Sequence, residues 1–109
     1  MPADQLSTVL SALSDPTRRA IIARLAVSGE TSVTALAKPF RMSLPAVSKH
    51  LRVLEDSGVV RRVVEGRTHW LSLEPDVLSV AADWMDHQRA LWGRLFDVVD
   101  EHLKEDAPQ

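Results

Sequence analysis

Pro45, Ser48, Lys49 and Arg52 lie three or four residues apart, a spacing that on a helix sets them along one side. A short hydroxyl, an ammonium and a guanidinium presented together are hydrogen-bond donors suited to phosphate oxygens and to guanine edges. Catalytic chemistry finds less support. The chain has no Gly-rich phosphate loop and no nucleophile motif, and its four histidines (His50, His69, His87, His102) lack the arrangement of a hydrolytic or metal centre. It has no cysteine, which excludes disulfides and thiolate metal sites. No catalytic residue, no metal ligand and no cofactor is therefore expected.

The element that must carry the basic face is the stretch 43–56. Leu44, Val47, Leu51 and Leu54 recur at helical spacing and predict one buried stripe, opposite Pro45, Ser48, Lys49 and Arg52. Ser43 suits the N-cap and Pro45 the first turn, which leaves the positive end of the helix dipole open to an anion. Upstream, residues 33–38 form a short helix that Pro39-Phe40-Arg41-Met42 cannot continue, so 32–56 is a helix-turn-helix. Downstream, Ser57-Gly58 ends the helix and β-branched Val59–Val64 begins a hairpin. A Glu65-Gly66 turn returns it through Arg67–Leu73, completing a wing over 59–73. That turn pairs Val60 with Leu71, Arg61 with Trp70 and Arg62 with His69, and sets Arg61 over the Trp70 ring as a cation–π pair. A helix with a basic face is often only a solvated surface, but a hairpin with arginines directly behind it favours DNA contact. Ser43, Pro45, Ser48, Lys49, His50 and Arg52 are expected to meet a major groove. Arg62, Arg67 and Thr68 are expected to grip the flanking backbone or minor groove.

The remainder frames this unit. Leu6, Val9, Leu10 and Leu13 predict a first amphipathic helix. Asp15 and Pro16 then cap and open a second, with Ile21, Ile22 and Leu25 on its core face and Gly29 as its stop. Arg18 and Arg19 near its start are candidates for phosphate or for plain solvation. A final helix over 76–104 is apolar on two sides. One stripe runs through Leu78, Ala81, Met85, Trp92, Phe96, Val99 and Leu103, the other through Val77, Trp84, Leu91, Leu95 and Val98. One domain of 109 residues has a marginal core, so a two-fold partner is expected on the first and last helices, at Leu6, Val9, Leu10, Leu78, Met85, Trp92, Phe96 and Val99. Residues 105–109 look like a frayed tail. The fold class is thus mainly α with a small β-hairpin, in the order α-α-α-α-β-β-α.

The formal net charge of −2 conceals a division. Residues 41–70 hold six Lys/Arg against three acids, whereas 71–109 hold three against nine. Basic charge is concentrated where nucleic-acid contact is expected. The apolar runs are too short to span a membrane, and Met1-Pro2-Ala3-Asp4 does not begin a signal peptide, so no membrane partner and a cytoplasmic location are expected.

With these residues in place the chain resembles the ArsR family of bacterial winged-helix repressors over nearly its whole length. The matching motifs are Leu13-Ser14-Asp15-Pro16-Thr17-Arg18-Arg19, Pro45-Ala46-Val47-Ser48-Lys49-His50-Leu51, Leu54-Glu55-Asp56-Ser57-Gly58-Val59-Val60 and Glu65-Gly66-Arg67. The resemblance implies a homodimer that binds an inverted repeat and blocks transcription. Many members sense metals through a cysteine pair, but Ser32 and Thr34 stand in the matching stretch, and a neutral hydroxyl is a poor ligand for a soft or borderline metal. Asp83, Asp86, His87 and His102 on the last helix lack the spacing of the family's other metal site. Three further readings stay open: a metal-responsive regulator using Asp83, Asp86, His87 or His102, a small apolar effector between the long helices near Trp84 and Trp92, and a winged helix used only for protein contact.

Overall fold

A computed structural model describes residues 2–106. Its elements are α1 (Pro2–Ala12), α2 (Pro16–Ser28), β1 (Thr31–Ser32), α3 (Val33–Ala37), α4 (Leu44–Asp56), β2 (Val60–Glu65), β3 (Thr68–Leu73) and α5 (Pro75–Asp106). The winged helix-turn-helix order is as expected, with one addition. Thr31 and Ser32 pair with Leu71 and Trp70, so the wing is a three-stranded antiparallel sheet in the order β1-β3-β2. Two residues in a polar stretch carry no period-2 signal, and only their nearness to β3 makes them a strand.

Local chemistry accounts for the helix boundaries. The Asp15 carboxylate accepts from the Arg18 amide at 3.0 Å, and Pro16 follows in the first turn. Ser32 Oγ caps α3 by accepting from Ala35 N–H, and Ser43 Oγ caps α4 by accepting from Ala46 N–H at 3.3 Å. At the other end of α4, Val59 N–H reaches Leu54 C=O and Gly58 N–H reaches Glu55 C=O. Gly58 has φ +81°, so α4 closes in a Schellman motif that a residue with a Cβ would strain. Arg18 and Arg19 serve the chain itself. Arg18 donates to the carbonyls of Ala12 and Ser11, and Arg19 to that of Leu13, which satisfies the open end of α1.

The core lies where the first four helices, the sheet and the start of α5 meet, and it includes Val9, Ile21, Leu25, Leu36, Val47, Leu51, Leu54, Val59, Val60, Leu71 and Ala81. Two expectations are corrected here. Leu44 is 55% exposed and stands outside the buried stripe, because at the first position of α4 it precedes the turn that meets the core. Val9, expected at a partner surface, is fully buried in its own chain's core.

The hairpin register also differs. Val60 lies opposite Leu73, Arg61 opposite Ser72, Arg62 opposite Leu71 and Glu65 opposite Thr68, so the loop residues are Gly66 and Arg67. Gly66 has φ +61°, and Arg67 keeps a negative φ. A positive φ at the first loop position alone is the type II′ requirement, which moves the register by two residues from a Glu65-Gly66 turn. A shift of two preserves which side chains share a face. It does remove Arg61 from Trp70: Arg61 Nε pairs instead with Glu74 Oε1 at 3.3 Å.

Only the start of α5 belongs to this core. Val77 and Leu78 pack against it and Ala81 is buried, whereas Trp84, Met85, Leu91, Trp92, Leu95, Phe96, Val98, Val99 and Leu103 are all exposed. Both apolar stripes are therefore uncovered beyond Ala81. The 32-residue helix is about 48 Å long. It raises the radius of gyration to 18.6 Å, against about 13 Å for a compact chain of this length. The described helix reaches Asp106, and Ala107–Gln109, part of the expected frayed tail, lie outside the described residues. None of the described helices is long and apolar enough to cross a membrane.

Candidate nucleic-acid interface

α4 turns Val47, Leu51 and Leu54 inward, which forces Ser48, Lys49 and Arg52 outward. With Pro45, Glu55 and Asp56 of the same helix and Arg62 of the wing, these residues line an open groove. Pro45, Ser48, Lys49 and Arg52 are exposed, as is Arg67 at the hairpin tip. Among the described residues no ion pair engages Lys49, Arg52 or Arg67, so their donors face solvent. A second groove runs between the start of α3 and the wing, lined by Ser32, Val33, Thr34, Arg62, Arg67, Thr68 and His69.

Other residues expected at the interface have internal partners. Ser43 is exposed, but its hydroxyl accepts the cap hydrogen bond. His50 is half-buried, with Nδ1 3.6 Å from Asp15 Oδ2, so it faces the N-cap of α2. Arg62 is the most engaged. Its Nε donates to Glu55 Oε1 at 2.7 Å, Nη2 to Glu55 Oε2 at 3.0 Å, and Nη1 lies 3.0 Å from His69 Nδ1. The hydrogen bonds it donates to Glu55 hold the Arg62 guanidinium above its already high ordinary pKa, against the opposing effect of partial burial. Thr68 closes the hairpin opposite Glu65.

The charge on Asp15 is favoured in the same manner. The Arg18 amide is the largest cause holding its carboxyl below the usual value of 3.8; partial burial opposes it, and the charge of His50, the Thr17 amide and the charge of Arg18 add to it. Two of these contacts were hidden from the sequence. The heptad offset of Glu55 and Arg62 crosses the break at Gly58, so helical spacing says nothing about their meeting, and Asp15 and His50 are far apart along the chain.

The structure offers little to a metal at the family's cysteine position. Ser32 Oγ is a cap acceptor, and a neutral hydroxyl so engaged does not suit a soft or borderline ion. Among the described residues, no group of three His, Asp or Glu side chains is gathered as a metal site would need.

Known proteins share this architecture. Residues 13–63 match a family model described as a helix-turn-helix domain. The chain is 34% identical to the transcriptional repressor SdpR of Bacillus subtilis over 80 residues, covering 73% of this chain and 88% of that protein. Among solved structures, the ArsR family transcriptional regulator RHA00566 superposes with a TM-score of 0.76 at 41% identity, covering 84% of this chain and 93% of the other. The Mb0332 domain of Mycobacterium bovis, a homodimeric winged helix-turn-helix DNA-binding domain, gives a TM-score of 0.64 at 29% identity, with 98% and 89% covered. On the strength of these matches and of the winged architecture, the chain belongs to the ArsR family of helix-turn-helix transcriptional regulators.

Proposed function

We propose that the protein is a homodimeric repressor that binds an inverted-repeat operator. In this reading α4 enters the major groove with Ser48, Lys49 and Arg52 toward the bases and phosphates. The helix start at Ser43 and Pro45 approaches the backbone, and Arg67 and Thr68 hold the flanking strand. The observation that carries the reading is the pair of unengaged cations on the outward face of α4, beside a wing whose tip carries a third. A helix placed only to solvate the surface has no need of a groove bounded by a second basic element.

Dimerisation is supported by α5. Met85, Trp92, Phe96 and Val99 are exposed, and Leu6, Leu10 and Leu78 are half-buried at the margin of the core, so a second chain has an apolar surface to cover. Two-fold pairing there would set two copies of α4 about 34 Å apart, one turn of duplex. SdpR is a repressor by name and the Mb0332 domain is homodimeric, which agrees with this reading.

The test is selection of a duplex from a random pool by the full chain, followed by anisotropy titration across salt concentrations. The expected result is a steep fall of affinity with salt, about 0.9 in logarithmic slope for each phosphate neutralised. A protein that selects no duplex and shows no salt-dependent binding to generic DNA is a protein-contact module instead.

A further inference from the structure

We propose that Glu55 is a positioning residue for DNA: acting through Arg62, it fixes the wing against the recognition helix. It thereby strengthens binding although its own charge repels phosphate. This rests on the reading of α4 and the wing as the DNA interface.

Three elements converge on one guanidinium. Glu55 is in the last turn of α4, Arg62 in the middle of β2 and His69 near the start of β3. Arg62 shares a sheet face with Val60 and Leu71, the buried residues that press the wing on the core. Its side chain is thus directed toward α4 by the same alternation that buries its neighbours. The two-pronged contact with Glu55 leaves the guanidinium little freedom of rotation, since both carboxylate oxygens are engaged. Arginine has donors only, so the third contact makes His69 Nδ1 the acceptor. His69 is the diagonal neighbour of Arg62 across the hairpin, and its contact extends the tie to the second strand.

The location of Glu55 adds an independent argument. An acid in the last turn of a helix opposes the helix dipole, and α4 has no basic residue there to relieve it. Glu55 also lines the same groove as Lys49 and Arg52, where a duplex would bring phosphates. Both effects make an acid unfavourable at this position; the contact with Arg62 is what offsets them. Arg62 itself borders both grooves, so it forms the ridge between the α4 wall and the wing wall. A rotation of the wing about that ridge would move Arg67 relative to Arg52.

The test separates positioning from simple charge. Deleting an anion beside phosphates should raise affinity, whereas deleting a positioning residue should lower it. With the duplex selected by the wild-type chain, Glu55→Ala and Glu55→Gln are expected to bind about tenfold more weakly, the loss of one charge-assisted hydrogen-bonded pair. The salt slope should stay unchanged, because Glu55 contacts no phosphate. The double variant Glu55→Ala/Arg62→Ala should be no weaker than Arg62→Ala alone. In the free protein, hydrogen exchange in Glu55→Ala should speed up at β2 and β3 amides and stay unchanged in α2. Equal or higher affinity in Glu55→Ala overturns the proposal. So does a salt slope reduced by about one unit in Arg62→Ala, which would make Arg62 a phosphate contact. If the wild-type chain selects no duplex, the DNA reading has failed by itself. The tie is then judged by exchange alone, and unchanged wing protection refutes it.

Discussion

His50 Nδ1 on the recognition helix lies 3.6 Å from Asp15 Oδ2, the carboxylate that caps α2. One carboxylate thus ends the solvent-facing break between α1 and α2 and also braces α4 against the scaffold. His50 follows the outward Lys49 by about 100° on the helix, and that rotation carries it sideways to Asp15.

The pH dependence follows from that carboxylate. Asp15 titrates below its ordinary 3.8 in the folded chain, chiefly because the Arg18 amide donates to its charged form. A depressed folded value contributes stability that is fully present above about pH 4 and is lost as pH falls through the lowered value. Asp15→Asn should therefore be less stable than wild type at neutral pH, with the difference shrinking below pH 4. Thermal unfolding followed by circular dichroism across pH 2.5–7 checks this; a constant difference over the range would contradict it.

Burial along α4 separates two leucines of the same predicted stripe. Leu51 is fully buried, and Leu51→Ala should cost about 2–5 kcal/mol. Leu44 is 55% exposed, and Leu44→Ala should stay within about 0.5 kcal/mol of wild type. Urea unfolding measures both.

For the outward face, Arg52→Ala and Arg67→Ala should each weaken binding to the selected duplex. A variant that loses a phosphate contact should reduce the salt slope by about one unit per protomer. A variant that loses a base contact should instead keep the slope and lose about 1–3 kcal/mol of discrimination at one position. Neither substitution should alter the unfolding midpoint, because both side chains are exposed. Unchanged affinity in both would remove α4 and the wing tip from the interface.

Helix α5 supplies the test of assembly. Trp92→Glu and Phe96→Glu place a carboxylate on an exposed apolar surface without touching the chain's own core. Sedimentation should shift them from two chains toward one, with a dissociation constant at least about tenfold higher. Val9→Ala, in contrast, should lower stability by about 0.5–3 kcal/mol through the cavity it leaves in the core. Sedimentation of either charged variant as a stable dimer would place the interface elsewhere.

Periodicity and capping residues determined a large part of this protein before any contact was known. Ser43, Asp15 and Gly29 mark helix ends by chemistry local to a few residues, and the β-branched run from Val59 to Val64 marks a strand by the same kind of local rule. The outward face of α4 was legible because Val47, Leu51 and Leu54 must go inward. The remaining features depend on approach between segments that no period relates. β1 is a strand because β3 is beside it. The hairpin register follows the positive φ at Gly66, which takes the first loop position and not the second that a Glu65-Gly66 turn would give it. Arg18 and Arg19 close α1 and Arg62 grips Glu55, because a guanidinium goes to whichever carbonyl or carboxylate the fold brings within reach. A basic residue is visible in a sequence as a charge; whether it faces DNA or an internal oxygen is settled by distance.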